Sequence, residues 1–170
     1  CGLLGEAVLQ PDPNVLTTTY TFDDGTTFDP TPLSPEPKAR YDGENAGGSS
    51  ICSEVMSMQL LIDCEGGKVL KKETEIAYTD SGPKTDYIAD IQGVKVGVSV
   101  TRAYLGPFVD TYTLEDATSL LTKKLAGVNE STLLVSPEDK WTKQILHIWT
   151  LEEGWAQTVQ TAWELLDAEL

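Results

Sequence analysis

From Asp86 to Ala103 the chain reads DYIADIQGVKVGVSVTRA, two alternating stretches joined by Gln92-Gly93. So short a connection makes the two strands antiparallel neighbours and sets their register. Ile91 then faces Val94, Asp90 faces Lys95, and Asp86 faces Ser99. Side chains alternate between the faces of a strand, so Asp86, Ile88, Asp90, Lys95, Gly97, Ser99 and Thr101 share one face. Tyr87, Ala89, Ile91, Val96, Val98 and Val100 share the other, and that face is predicted to be buried. A one-residue slip would expose the whole second set, so the pairing is strongly specified.

Other elements fall into place around this hairpin. A strand is predicted over Val69–Tyr78, separated from it by SGPK. Before it, Ser53 starts a helix whose apolar stripe includes Val55, Met58, Leu61 and Ile62 and runs to about Asp63, where Gly66-Gly67 follows. A second helix is predicted from Leu114 to Leu125: Thr113 caps it, Asp116 completes a capping box, and Gly127 stops it. KQILHIWTL, residues 143–151, reads as a short apolar strand. A final helix carries Trp155, Val159, Ala162, Trp163, Leu165 and Leu166 on its apolar side. The order α-β-β-β-α-β-α predicts an α/β domain with one mixed sheet, because the strand after a helix returns parallel by a right-handed crossover.

That domain spans residues 51–170, and residues 1–50 differ from it. They hold Pro11, Pro13, Pro30, Pro32, Pro35 and Pro37 and show little helical spacing. TTTYTFDDGTTF predicts a hairpin turning at Asp24-Gly25, DPTPLSPEPK an extended polyproline-like linker, and YDGENAGGSS a flexible joint. The segment is expected to be an arm that wraps a surface or a partner.

A length of 170 residues suits one domain plus an arm, and a net charge of −15 favours basic protein partners while opposing approach to phosphate backbones. No apolar run is long enough for a membrane span. Cys52 and Cys64 would lie about 18 Å apart along one helix, too far for a disulfide, which predicts reduced cysteines and a reducing compartment. CGLLG has a second reading, the lipidated start of a mature bacterial lipoprotein. With one histidine and no CxxC, a zinc site is not expected. Asn129 heads a glycosylation sequon by pattern only.

The helix–three strands–helix–strand order, with KTDY at 84–87, resembles the core of the PD-(D/E)XK nuclease superfamily. The stretch ETEIAY…TDY…GVKVGVSVTRAY…EDATSLLTKKL…KQILHIW is also similar to an uncharacterised eukaryotic family of nuclease-like proteins. The resemblance covers roughly residues 53–166 and implies a restriction-endonuclease-like core with Asp86 as a metal-binding aspartate. In such enzymes an acid on the next strand helps hold Mg²⁺ or Mn²⁺, and a lysine two residues on assists the attacking water. Ser99 and Thr101 occupy those positions here, so the motif is degenerate. A migrated site is the alternative: Glu73, Glu75 and Asp86 holding the metal, with Lys95, Lys123 or Lys124 in place of the lysine.

Blander readings stand beside these. Asp90 and Lys95 make a cross-strand ion pair, Glu73 and Glu75 a solvated strand face, Asp86 a turn or cap, and Lys123-Lys124 an exposed helix end. His147 reads as a core or surface histidine with no evident nucleophile beside it. The expected function is a nuclease-like domain acting as a protein-binding or structural subunit, with no cofactor. The alternative is a metal-dependent nuclease or phosphodiesterase.

Overall fold

A computed structural model describes residues 1–20, 28–43 and 50–166. Its core is a four-stranded mixed sheet in the order β1-β2-β3-β4, formed by β1 (Lys68–Lys72), β2 (Tyr87–Ile91), β3 (Val94–Ala103) and β4 (Lys143–Thr150). β1 and β2, and β2 and β3, pair antiparallel, while β4 runs parallel to β3. The helices are α1 (Leu3–Ala7), α2 (Pro35–Asp42), α3 (Ser50–Glu65), α4 (Leu114–Leu134) and α5 (Glu153–Leu165).

The hairpin register is the expected one: Ile91 pairs with Val94, Asp90 with Lys95 and Tyr87 with Val98. Its turn needs two residues at positive φ, and Gln92 and Gly93 adopt 52° and 84°. Both faces of the hairpin are covered. Tyr87, Ala89, Ile91, Val96 and Val98 pack with Met58 and Leu61 of α3 in one core. On the opposite face Ile88 meets Trp141, Val135 and Ile76. Gly97 is required there, because a Cβ would lie 2.8 Å from the Trp141 indole. The third core joins α4 and α5 through Ala117, Leu121, Trp155 and Ala162, with Leu146 and Ile148 of β4 against it.

Several sequence expectations are corrected. The predicted 69–78 strand ends at Lys72, and Glu73–Glu75 form a 3-10 turn instead. Local bonding wins there: Glu75 Oε2 accepts the Lys72 N–H at 2.8 Å. α4 runs through Gly127 to Leu134, about two turns beyond the expected stop. A helical glycine costs about 1 kcal/mol, and burial of Val128 and Ser131 in the continued helix offsets it. Its N-terminal capping box, Thr113 with Asp116, is as expected.

The arm also packs more than its composition suggests. Within the supposed polyproline linker, Pro35–Asp42 is a helix with proline at its first turn, where the ring's fixed φ suits helix entry. α2 is fastened to α3 by Arg40, whose Nη2 donates to Glu54 Oε2 at 2.9 Å. Val8 reaches the main core. Cys1 forms a disulfide with Cys64, with Cα atoms 4.3 Å apart, and Cys52 is free. The expectation of reduced cysteines is therefore corrected for Cys64, whose partner is the sequence-distant Cys1, while Cys52 and Cys64 are not bonded to each other. The sulfur that a lipid anchor would use is engaged in that bond. The turn of the expected 17–28 hairpin lies outside the described residues, and Thr17–Tyr20 form no strand.

Candidate functional site

Two places combine buried polar groups with access to solvent. The first surrounds Asp86, just before β2. Its backbone N–H donates to Val98 O at 3.1 Å, and its Oδ2 accepts the Val100 N–H at 2.6 Å. The carboxylate thus ties the start of β2 to β3. Burial raises its pKa to about 6, helped by the charge of Glu73 and opposed by Lys124 and Arg40. Lys124 lines a small pocket with Ser50, Ser53, Thr101, Arg102 and Tyr104.

Of the other residues named from sequence, Glu73 and Lys124 come within electrostatic reach of Asp86, and Glu75, Lys95 and Lys123 do not gather there. Glu73 lies in the 3-10 turn within electrostatic reach of it. Glu75 is exposed and turned to Lys72, its Oε1 3.8 Å from the lysine Nζ. Lys95 pairs with Asp90 by register, but its Nζ donates to Glu138 O at 3.1 Å, and Asp90 Oδ1 accepts from Gly93 N–H in the turn. The predicted Asp90–Lys95 ion pair is therefore replaced by two backbone contacts. Lys123 is exposed in the middle of α4 rather than at a helix end. Across from Asp86, Ser99 Oγ accepts from Gln144 Nε2 at 3.4 Å, within a network that includes Thr85 and Ser131. Among the described residues no group of three or more His, Cys, Asp or Glu could hold a metal ion.

The second place is a cavity of about 540 Å³ between the N-terminal segment and β4 with α5. Leu4, Val8 and Leu16 wall one side, and Ile145, Val159 and Trp163 the other. Into it face Ser57, Tyr87 and His147. Ser57 Oγ lies 2.8 Å from Tyr87 Oη and 2.7 Å from His147 Nδ1. Burial lowers the histidine pKa to about 4, so the ring is neutral near pH 7. Sequence reasoning found no nucleophile partner for His147. Its only signal was a serine amid the apolar stripe of α3, and the 90-residue separation between the two hides the contact. Among the described residues no acid is bonded to the pair, and Ser57 is a mid-helix residue, so it lacks the turn that presents a catalytic serine.

No family model matches the chain, and no solved structure matches it. It is similar to the AAC-rich mRNA clone AAC4 protein of Dictyostelium discoideum, 42% identical over 133 residues. The match covers 73% of this chain and 19% of that protein, so the chain spans about a fifth of the length of the curated relative it matches. No helix among the described residues is long and apolar enough to cross a membrane.

Proposed function

We propose that this chain is a non-catalytic binding domain of a larger protein: a nuclease-like core whose metal site has degenerated, docking a protein partner. The strand order and the parallel β3–β4 crossover support the nuclease-like core. The observation that carries the loss of catalysis is the bonding around Asp86. One carboxylate oxygen takes the Val100 N–H, and the facing position is a serine tied to Gln144. A divalent cation needs several oxygen ligands converging on one point, and a single buried carboxylate of raised pKa is a poor start.

The partner surface is the loop after β3. Tyr104, Leu105 and Val109 are exposed there, and Phe108 is 94% exposed. Clustered apolar side chains in water mark a contact surface, and the charge of −15 favours a partner with basic residues around its apolar contact.

The test is thermal unfolding with millimolar Mg²⁺ or Mn²⁺, for the wild type and Asp86→Ala. A ligand that binds only the folded state raises its melting temperature by mass action. Neither cation is expected to shift either protein. A metal-dependent rise lost in Asp86→Ala, with cleavage of nucleic acid by the wild type, would establish the alternative metal-dependent nuclease.

A further inference from the structure

The polar chain at the cavity wall has one consistent order of hydrogens. Tyr87 is fully buried, and its hydroxyl has Ser57 Oγ as its one partner among the described residues. Ser57 could bond back to the Ser53 carbonyl, as helical serines often do, but both lone pairs of that oxygen are engaged, one by the helical Ser57 N–H and one by the Trp149 indole N–H at 3.0 Å. Were Ser57 to donate to Tyr87, the tyrosine hydrogen would be left buried without an acceptor. A buried donor left unmade costs more than a bond gains. Tyr87 therefore donates to Ser57, and Ser57 donates to His147 Nδ1. The imidazole proton then sits on Nε2.

That Nε2–H has no partner among the described residues. Ser136 Oγ is the sole described side-chain polar atom that is both buried and unpartnered, so Nε2 is open to solvent, and His147 lines the cavity. The chamber mixes apolar residues such as Leu4, Val8, Ile145 and Val159 with polar ones such as Asn14, Thr18 and Gln160, and His147 adds a donor whose direction the Ser57 bond fixes. The ring is flanked by Trp149, with centroids 4.5 Å apart, which holds its plane. We propose that this cavity binds an uncharged, largely apolar small molecule carrying one hydrogen-bond-accepting oxygen, received by Nε2–H of His147. Apolar side chains supply most of the affinity, and the fixed donor orients the ligand. A carboxylate ligand fits less well, since the cavity rim bears Asp12, Glu65, Glu152 and Glu153.

Prodan, a neutral naphthyl ketone whose emission reports its surroundings, is the probe. Its carbonyl-free relative 2-dimethylaminonaphthalene is the control. Wild-type protein is expected to bind both saturably with blue-shifted emission. His147→Phe keeps the ring and removes the donor, and it should weaken prodan about 3- to 10-fold, the value of one hydrogen bond, with the control unchanged. Val159→Trp, which fills the cavity from α5, should abolish both. Absence of saturable binding, or equal weakening of the two probes by His147→Phe, overturns the proposal. Should His147→Phe not fold, ¹⁵N NMR of the wild-type imidazole decides: a proton on Nε2 whose resonance moves with prodan supports it, and a proton on Nδ1 overturns it.

Discussion

Asp86 and His147 are both ionisable groups withdrawn from water on one sheet, yet their surroundings are opposites. Asp86 sits among charges, with Glu73, Lys124 and Arg40 in reach, and its partner is a backbone N–H. His147 sits among apolar walls and two hydroxyls. Burial disfavours the charged form in each case, so it raises the acid and lowers the base. The acid still keeps a route to charge through its cationic neighbours, whereas burial alone sets the direction of the histidine's shift. Polar groups at the first place hold the hairpin together. At the second they order a donor toward empty space, which is why it suits a ligand better.

The largest expected effect tests the charged side. Glu54 is buried, and Arg40 is its partner. Burial raises the Glu54 pKa, and Arg40 opposes that. Arg40→Met leaves the carboxylate alone, and such uncompensated charges cost about 3–5 kcal/mol. Urea unfolding at pH 7.5 should show that loss, and it should shrink as the pH is lowered and Glu54 takes up a proton. A cost under about 1 kcal/mol at every pH would mean that α2 does not dock on α3 in solution.

Next comes the pH dependence, where the two places should pull in opposite directions. Asp86 rises from 3.8 to about 6 on folding. Between those values the folded state holds the extra proton, so this group's contribution is greatest below about pH 4 and is lost as pH rises through 6. His147 falls from 6.5 to about 4. There the unfolded state holds the extra proton, so the contribution is complete above about 6.5 and is lost as pH falls through 4. Each is worth up to about 3 kcal/mol, and in the wild type they largely cancel from pH 4 to 6.5. Asp86→Asn should leave a stability that climbs with pH, and it should exceed the wild type at pH 7.5. His147→Gln should leave one that declines. Parallel profiles for the two variants would show that one of the groups is solvated.

How much of this was legible depends on the range of the interaction. The β2–β3 register followed from a two-residue turn and strict alternation, both local. The capping box at Thr113 was readable for the same reason. Glu73-Thr74-Glu75 misled because alternating acids look the same in a strand and in a turn, until Lys72 N–H finds Glu75. Gly127 misled because only the packing of α4 shows why the helix continues. The Pro35 helix was local too: Ser34 followed by proline is a helix start, but proline density suggested a linker. At the sites, Asp86 was found through the resemblance of KTDY to the nuclease motif. Ser57, Tyr87 and His147 come from three separate elements, and no spacing in the sequence connects them.

The smallest expected effect separates the two glutamates that sequence reading treated alike. Glu73 is a like charge that raises the Asp86 pKa, while Glu75 faces Lys72 on the exposed side of the turn. Glu73→Gln should lower the Asp86 titration midpoint, because it removes repulsion from the charged form. Glu75→Gln should leave that midpoint in place and cost only the few tenths of a kcal/mol of an exposed pair. Carboxyl ¹³C NMR of Asp86 across pH 3–8 reads both. If the two substitutions move the midpoint equally, the 3-10 turn opens in solution and both glutamates reach Asp86. The carboxylate cluster that the sequence suggested would then be available, and the metal titration would be the measurement to repeat on the wild type.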